Sequence, residues 1–273
     1  AGARQIVSLV SQPEKRALVQ RVLEKRRSRL LPELRQLVRT SNDRVASEAA
    51  RALGLARDRE SLKLLASLAR KKDTAEGATE ALLGIGTPAA YQAAFVAASW
   101  GGAPSAAAHC FDDDNRAEPF LLGVLESGTL KERRAALRLL ERCGGDQTAA
   151  FLARGQFGRS LLPHVAGTLT AIGSDAAVKA LAALGHRREV LGALARIHTP
   201  ESARVLVDLL EEPRARRDAG RALATMPTGV VVPVLLESFE RDPRRVRRVL
   251  TRIAGDNLGT GVEPWKKWWD ERP

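Results

Sequence analysis

The sequence predicts an all-α protein built from stacked pairs of helices. A short apolar phrase recurs along the chain at steps of about 25–30 residues, which is a period typical of stacked repeats. The apolar residues are mostly Ala, Leu and Val, and aromatic residues make up only 4% of the chain. Ala and Leu favour helices, and no alternating Val-rich run bounded by turn residues predicts a strand.

The recurring phrase lies near the end of the second helix of each predicted pair. Ala-Leu-Gly-Leu-Ala at 52–56 recurs as Leu-Leu-Gly-Ile-Gly at 82–86 and as Leu-Thr-Ala-Ile-Gly at 169–173. The aligned central residues are Leu55, Ile85, Cys143, Ile172, Ile197, Met226 and Ile253, with one double step between the second and the third. A lone helix pair cannot bury both of its faces, so the repeats are expected to stack into one continuous core.

Each repeat is expected to contain a helix, a short turn and a second helix. Residues 1–29 are predicted as irregular N-terminal helices broken before Pro13, residues 30–255 as repeats, and residues 256–273 as a C-terminal capping segment. About eight helix pairs are predicted, at 30–57, 60–86, 88–114, 116–145, 146–173, 174–198, 200–227 and 228–255. Because no linker or change of composition divides the chain, residues 1–273 are interpreted as a single domain.

The predicted helix ends carry residues suited to capping. Asn42, Thr199 and Asp242 are small polar residues placed to accept hydrogen bonds from the first turn of the following helix. Gly86, Gly144 and Gly173 suit the left-handed conformation that ends many helices. Between these ends the apolar residues follow helical spacing, as in Val246, Val249, Leu250 and Ile253.

These residues also carry a resemblance to a known family. Asn-Asp-Arg-Val-Ala-Ser-Glu-Ala-Ala-Arg-Ala-Leu-Gly at 42–54 resembles the inner-helix signature of HEAT repeats, particularly the short bacterial HEAT-like type of bilin (PBS) lyases. Its opening recurs as Asp-Pro-Arg-Arg-Val at 242–246, whereas residues 88–115 depart from the pattern. The resemblance implies a bacterial, right-handed α-solenoid whose second helices line the concave side. It indicates fold and not function, because HEAT-like proteins serve unrelated roles.

Three of the four tryptophans follow the last predicted repeat. Trp265, Trp268 and Trp269 lie at i, i+3 and i+4 of a short helix in which Pro264 occupies the first turn. We interpret them as a lid over the apolar flank that a last repeat exposes. An aromatic docking site is the alternative.

The positive charge lies toward the two ends of the chain. The formal net charge is +12, made up of +10 over 1–75, −3 over 76–175 and +5 over 176–273. On the HEAT resemblance, the arginines of the last two second helices form a concave basic area that also includes Arg216. The predicted partner-binding residues are Arg214, Arg217, Arg221, Arg244, Arg245 and Arg248. Many other arginines are expected to pair with acidic residues of the next repeat.

The sequence therefore favours a non-enzymatic scaffold or adaptor that binds an acidic protein or peptide partner. A nucleic-acid-binding protein is the alternative, although Glu76 and Glu80 interrupt the continuous basic track that a nucleic acid requires. The HEAT-like resemblance also extends to two classes of enzyme. DNA alkylpurine glycosylases use a tryptophan and a catalytic aspartate, but only Trp100 lies outside the tail and no such aspartate is matched near it. Bilin lyases share the repeat and no catalytic motif.

The sequence predicts neither a cofactor nor a metal site. It has no phosphate-binding glycine loop, His-Glu-x-x-His motif or nucleophile elbow. His109, Cys110 and Asp112 lack a second ligand cluster, and the turn at Asp112–Asp114 lacks the glycine and distal glutamate of a calcium loop. Cys110 and Cys143 are expected to be reduced residues of the core.

No stretch of the sequence is long and apolar enough to predict a membrane span, and no secretory signal begins it. The first residue is not methionine, so the sequence is compatible with a leader, an anchor or a further domain upstream of it. The compartment is accordingly left unassigned, as is the oligomeric state.

Overall fold

The structure, a computed structural model, describes residues 2–112, 115–155 and 157–272, with the exception of the Asn115 side chain. Asp113 and Asp114, from the acidic turn considered as a calcium loop, lie outside the described residues. Within the described ranges all regular elements are helical and no strand is present. The prediction of an all-α protein is confirmed. Contacts divide the chain into two compact units, Ala1–Cys143 (the first unit) and Gly144–Pro273 (the second unit).

The first unit contains ten α-helices among its described residues. They are α1 Ala3–Val10, α2 Arg16–Lys25, α3 Arg27–Thr40, α4 Asp43–Leu55, α5 Leu62–Leu68, α6 Ala75–Ile85, α7 Pro88–Trp100, α8 Pro104–His109, α9 Glu118–Ser127 and α10 Leu130–Cys143. Short 3-10 turns at Pro13–Lys15, Arg59–Ser61 and Asn115–Ala117 precede α2, α5 and α9. The predicted break before Pro13 is present, but α3 begins at Arg27 and not at Leu30, because no helix-breaking residue separates the two positions.

The second unit contains nine α-helices in its described part. They are α11 Asp146–Arg154, α12 Leu162–Ile172, α13 Asp175–Ala183, α14 Arg188–Ile197, α15 Pro200–Asp208, α16 Arg216–Thr225, α17 Thr228–Glu237, α18 Pro243–Ala254 and α19 Glu263–Asp270. These helices form two rows. Helices α12, α14, α16 and α18 pack in succession, as do α11, α13, α15 and α17, and α19 packs on α17. This alternation is helical-repeat-like, since each pair contacts mainly its neighbours.

In the first unit, α4 and α6 approach each other closely. A Cβ atom added to Gly54 of α4 would lie 2.4 Å from Cα of Ala81 in α6. One added to Gly77 of α6 would lie 2.2 Å from Oγ of Ser47 in α4. Real side chains essentially never approach so closely, so the two helices depend on glycine for their contact. This explains why glycine occurs within the recurring phrase at Gly54.

Most of the predicted helix ends are confirmed in atomic detail. Gly144 is the exception: it does not adopt the left-handed conformation after α10, and α11 begins only two residues later. Asn42 Oδ1 accepts a hydrogen bond from the Val45 amide at 3.0 Å, and Asp242 Oδ1 accepts one from the Arg245 amide at 3.2 Å. Thr199 caps α15 in the same way. Gly86 and Gly173 have φ values of +69° and +64°, the left-handed conformation expected after α6 and α12.

Candidate anion-binding site

A cleft in the second unit is lined mainly by arginines. It lies between α16 and α18, against the end of the α15 segment, and has a volume of about 240 Å³. Its lining residues are Leu210, Pro213, Arg216, Arg217, Gly220, Arg245, Arg248, Val249 and Arg252. No acidic residue of the described part of the chain lines it, so the cleft is a concentrated positive site.

Two of the five arginines are fixed by hydrogen bonds to the protein. The Arg216 guanidinium donates from Nε to the Leu210 carbonyl at 2.9 Å and from Nη2 to the Glu211 carbonyl at 3.3 Å, where the α15 segment ends. The Arg245 guanidinium pairs with the Asp242 carboxylate at 2.6 Å, and Asp242 also caps α18. These bonds hold two positive groups in place beside the cleft.

The other three arginines of the cleft are unpaired. Arg217, Arg248 and Arg252 are exposed, and none makes an ion pair or a side-chain hydrogen bond with any described residue. Like charges held together without counter-charges repel each other, and an anion in the cleft would relieve that repulsion. Each guanidinium can also bind an oxyanion through two parallel hydrogen bonds.

The floor of the cleft is apolar and includes a glycine. Leu210 and Val249 belong to the buried core, and Gly220 lies between them on α16. A Cβ atom at Gly220 would lie 3.7 Å from both Leu210 Cδ2 and Val249 Cγ2, which is ordinary contact. Any larger side chain at Gly220 would take space from the cleft. The site therefore combines a charged rim with a small apolar surface.

The structure brings together only part of the predicted partner-binding set. Arg217, Arg245 and Arg248 line the cleft, whereas Arg214, Arg221 and Arg244 do not. Arg221 lies instead 3.5 Å from the Asp218 carboxylate on its own helix.

The structure also places in the cleft an arginine that the prediction missed. Arg252 lies four residues after Arg248 and seven after Arg245, on the same face of α18. That spacing was a signal present in the sequence.

Along the same row of helices, the charge falls off quickly. Helix α12, Leu162–Ile172, contains no Asp, Glu, Lys or Arg. Helix α14 carries Arg188 and Arg196, and also Glu189. The positive charge of the second unit is thus concentrated at α16 and α18 and does not continue at the same density along the row.

Elsewhere, arginines pair with acidic residues of neighbouring repeats, as predicted. The pairs between repeats are Arg35–Asp58 at 2.6 Å, Arg51–Glu76 at 2.9 Å, Arg51–Glu80 at 2.7 Å, Arg142–Asp112 at 2.8 Å, Arg204–Glu237 at 3.7 Å and Arg241–Glu211 at 3.1 Å. These pairs connect helices of successive repeats. They also remove the corresponding arginines from the set available to a ligand.

In the first unit, Arg51 is surrounded by several carboxylates. Arg51 contacts Glu76 and Glu80, and it lies 2.7 Å from the Glu48 carboxylate as well. Burial alone would lower the pKa of Arg51, but the hydrogen bond and charge of Glu80, with the charges of Glu48 and Glu76, raise it. Arg16 adds a second contact to Glu80 at 2.9 Å. The acidic residues predicted to interrupt a basic track are therefore held by arginines.

The residues considered as metal ligands form an ion pair instead. Arg142 donates to both carboxylate oxygens of Asp112 and, at 2.7 Å, to Nδ1 of His109. The hydrogen bond from Arg142 lowers the pKa of Asp112, although burial acts in the opposite direction. Among the described residues, no group of three His, Cys, Asp or Glu side chains could hold a metal ion.

The two cysteines are free thiols, but only Cys143 lies in the core. Cys110, expected to be buried, is half-buried at the end of α8. Its thiol donates to the Glu76 carbonyl at 3.4 Å. Burial and the charges of Glu80 and Glu76 raise its pKa to about 12. The position is only half-covered because Cys110 follows the last residue of α8, where the chain leaves the helix.

The tryptophans occupy two different environments. Trp265 is fully buried where α19 packs on α17, and its Nε1 donates to the Gly259 carbonyl at 3.2 Å. Trp268 and Trp269 are half-buried beside it, and Arg272 stacks over the Trp268 ring. In the first unit, Trp100 is 38% exposed and packs edge-on against Phe95.

The helices and their order define the class of this protein: it is an all-α protein with a helical-repeat-like fold. In the part of the chain that the structure describes, no helix has the length and apolar character to cross a membrane.

Comparison with protein-family models finds no match, and comparison with curated proteins finds none either. Among solved structures, the chain is similar to human deoxyhypusine hydroxylase in complex with glycerol. The two chains share 21% identity at a TM-score of 0.35, over 82% of this chain and 95% of that one. This weak likeness assigns no activity.

Proposed function

We propose that the protein is a non-enzymatic scaffold or adaptor that binds an acidic protein or peptide partner in the arginine cleft. The observation that supports the proposal best is the convergence of Arg217, Arg248 and Arg252, all unpaired, on one small cleft. Several arginines elsewhere are instead paired with carboxylates of a neighbouring repeat. Three unpaired arginines that line one cleft are therefore available to an external anion.

We also propose the finer description of the fold. It is a right-handed HEAT-like α-solenoid of about eight helix pairs, in which α12, α14, α16 and α18 form the concave side. The recurring phrase supports this arrangement, as do the two rows of helices in the second unit. We propose that Trp265, Trp268 and Trp269 close the last repeat. Helix α19, which carries them, packs on α17, and α17 is the first helix of the last pair. The HEAT-like resemblance supports a bacterial source.

Charge reversal in the cleft tests the proposed function. Arg217→Glu/Arg248→Glu is expected to weaken binding of a labelled glutamate-rich peptide by about tenfold or more, because it removes two bidentate contacts and adds repulsion. Binding is measured by fluorescence anisotropy, and a peptide with glutamine in place of each glutamate serves as the neutral probe.

A matched variant controls for the change in net charge. Arg214→Glu/Arg244→Glu makes the same charge change at exposed arginines outside the cleft. It is expected to bind the peptide within about twofold of the unsubstituted protein, since the long-range attraction of exposed charges is screened by salt. Equal losses in the two variants, with unchanged melting temperatures, would refute the assignment of the cleft.

Nucleic-acid binding, including a relation to DNA alkylpurine glycosylases, is the second candidate. Unpaired arginines also bind phosphodiester oxygens, and the 38% exposed Trp100 ring is an aromatic surface on which a base could stack. Binding to duplex and single-stranded DNA at ~50 and ~200 mM salt tests this function. Tight binding that falls steeply with salt would favour it over the acidic partner.

A further inference from the structure

We infer that the anion recognised by the arginine cleft is a phosphate monoester on the partner, namely a phosphorylated serine or threonine. This inference rests on the proposed function and specifies its ligand. It predicts that phosphorylation tightens the binding of the partner.

The charge of the cleft is larger than one carboxylate can balance. Five arginines line it, and among the described residues only Arg245 has a carboxylate partner, Asp242. Arg216 is held by backbone carbonyls, which carry no formal charge. A carboxylate supplies one negative charge and two oxygens, whereas a phosphate monoester supplies nearly two charges and three terminal oxygens. Three unpaired guanidinium groups match three terminal oxygens.

The size and lining of the cleft fit a phosphorylated side chain on a peptide. A volume of about 240 Å³ exceeds that of an oxyanion alone and leaves room for the atoms that carry it. The apolar floor at Leu210 and Val249 offers contact to those atoms or to an adjacent apolar side chain. Clusters of arginines are a recurring means of recognising phosphorylated segments.

The distribution of charge favours one phosphate over a chain of phosphates. Binding along a nucleic acid requires basic residues over several repeats. Helix α12, in the same row, carries no charged residue, and α14 adds Glu189 to its arginines. A compact positive site surrounded by less charged helices suits a single dianionic group.

Peptide arrays test the inference without knowledge of the partner's sequence. Three sets of peptides with randomised flanking residues differ only at the central position, which is phosphoserine, glutamate or serine. The labelled full chain is applied to all three, and the best peptides are then measured in solution. Phosphoserine peptides are expected to bind about tenfold more tightly than their glutamate counterparts, because they accept at least one more charge-assisted hydrogen bond.

A charge-preserving variant tests whether the cleft is responsible. Arg217→Lys/Arg248→Lys/Arg252→Lys keeps the net charge but removes the planar fork of each guanidinium. It is expected to lose about tenfold in affinity for phosphoserine peptides, while Arg214→Lys/Arg244→Lys retains it. A triple variant that binds phosphoserine peptides as tightly as the unsubstituted chain would overturn the assignment to this cleft.

The remaining outcomes separate the two proposals. Equal binding of phosphoserine and glutamate peptides would overturn the phosphate inference and leave the acidic-partner function standing. No binding of either set would overturn both. Tighter binding of duplex DNA than of any phosphoserine peptide, with a steep dependence on salt, would overturn the inference in favour of a nucleic acid.

Discussion

Substitution of Gly54 by alanine tests whether the contact between α4 and α6 depends on the absence of a side chain. In isolation, alanine stabilises a helix interior by about 1 kcal/mol relative to glycine. Here the new Cβ would lie 2.4 Å from Ala81 Cα and 3.0 Å from the Ala81 carbonyl oxygen. Both atoms belong to the backbone, so no rotamer change relieves the overlap.

The magnitude follows from the distance. Ordinary contact begins near 3.4 Å, so α4 and α6 must separate by 3.4 − 2.4, or 1.0 Å. A gap of that size forfeits a quarter to a half of the dispersion energy of the atoms concerned. Overpacking of this kind costs about 3 kcal/mol at the upper end of its usual range. The gain in helix propensity offsets about 1 kcal/mol of this cost. The free energy of unfolding is therefore expected to fall by about 2 kcal/mol.

Urea unfolding followed by far-ultraviolet circular dichroism measures the change. Gly123→Ala is the matched control, because Gly123 lies within α9 and nothing lies within 4 Å of its Cβ position. That substitution is expected to raise the free energy of unfolding by up to about 1 kcal/mol. If Gly54→Ala were as stable as the unsubstituted protein, or moved in the same direction as the control, the inferred close contact would be refuted.

Two further predictions concern buried polar and aromatic groups. Trp265→Ala is expected to lower the free energy of unfolding by about 3–5 kcal/mol, because Trp265 is fully buried. Trp269 is half-buried, so Trp269→Ala is expected to lower it by less. Equal losses of the two variants in urea unfolding would contradict the burial of Trp265. Burial opposes ionisation of Asp58, but hydrogen bonds from Arg35 and Ser61 lower its pKa overall. Its contribution to stability is therefore present above about pH 3.9 and is lost as the pH falls through the lowered value. Asp58→Asn should weaken the acid dependence of the melting temperature, and an unchanged dependence would exclude this role.

Much of the fold could be predicted because its signals are local. The polar caps at Asn42 and Asp242 and the left-handed Gly86 act within a few residues of their own positions. A sequence can be read at that range without knowledge of the tertiary structure. Pairing of arginines with acidic residues about one repeat away was predictable for a similar reason, since the repeat period fixes which residues become neighbours.

The site was predictable only in part. The arginines of α16 and α18 are evident in the sequence as basic clusters, and Arg217, Arg245 and Arg248 were expected to act together. The residue type alone does not distinguish Arg245 and Arg248 from Arg244, which is just as basic and lies on the same helix, α18. Cys110 was misplaced for the same reason, because its burial depends on where α8 ends against its neighbours.

The sequence by itself determined the helical class, most of the helix breaks and the regions that carry charge, because each depends on periodicity or on residues a few positions apart. The tertiary structure decided which arginines meet. Successive residues of a helix point about 100° apart, so the packing of α18 against α16 selects Arg245, Arg248 and Arg252 and leaves Arg244 outside the cleft. The tertiary structure also decided that Gly54 is a point of close contact between α4 and α6, because only the packing of these helices brings Ala81 next to Gly54.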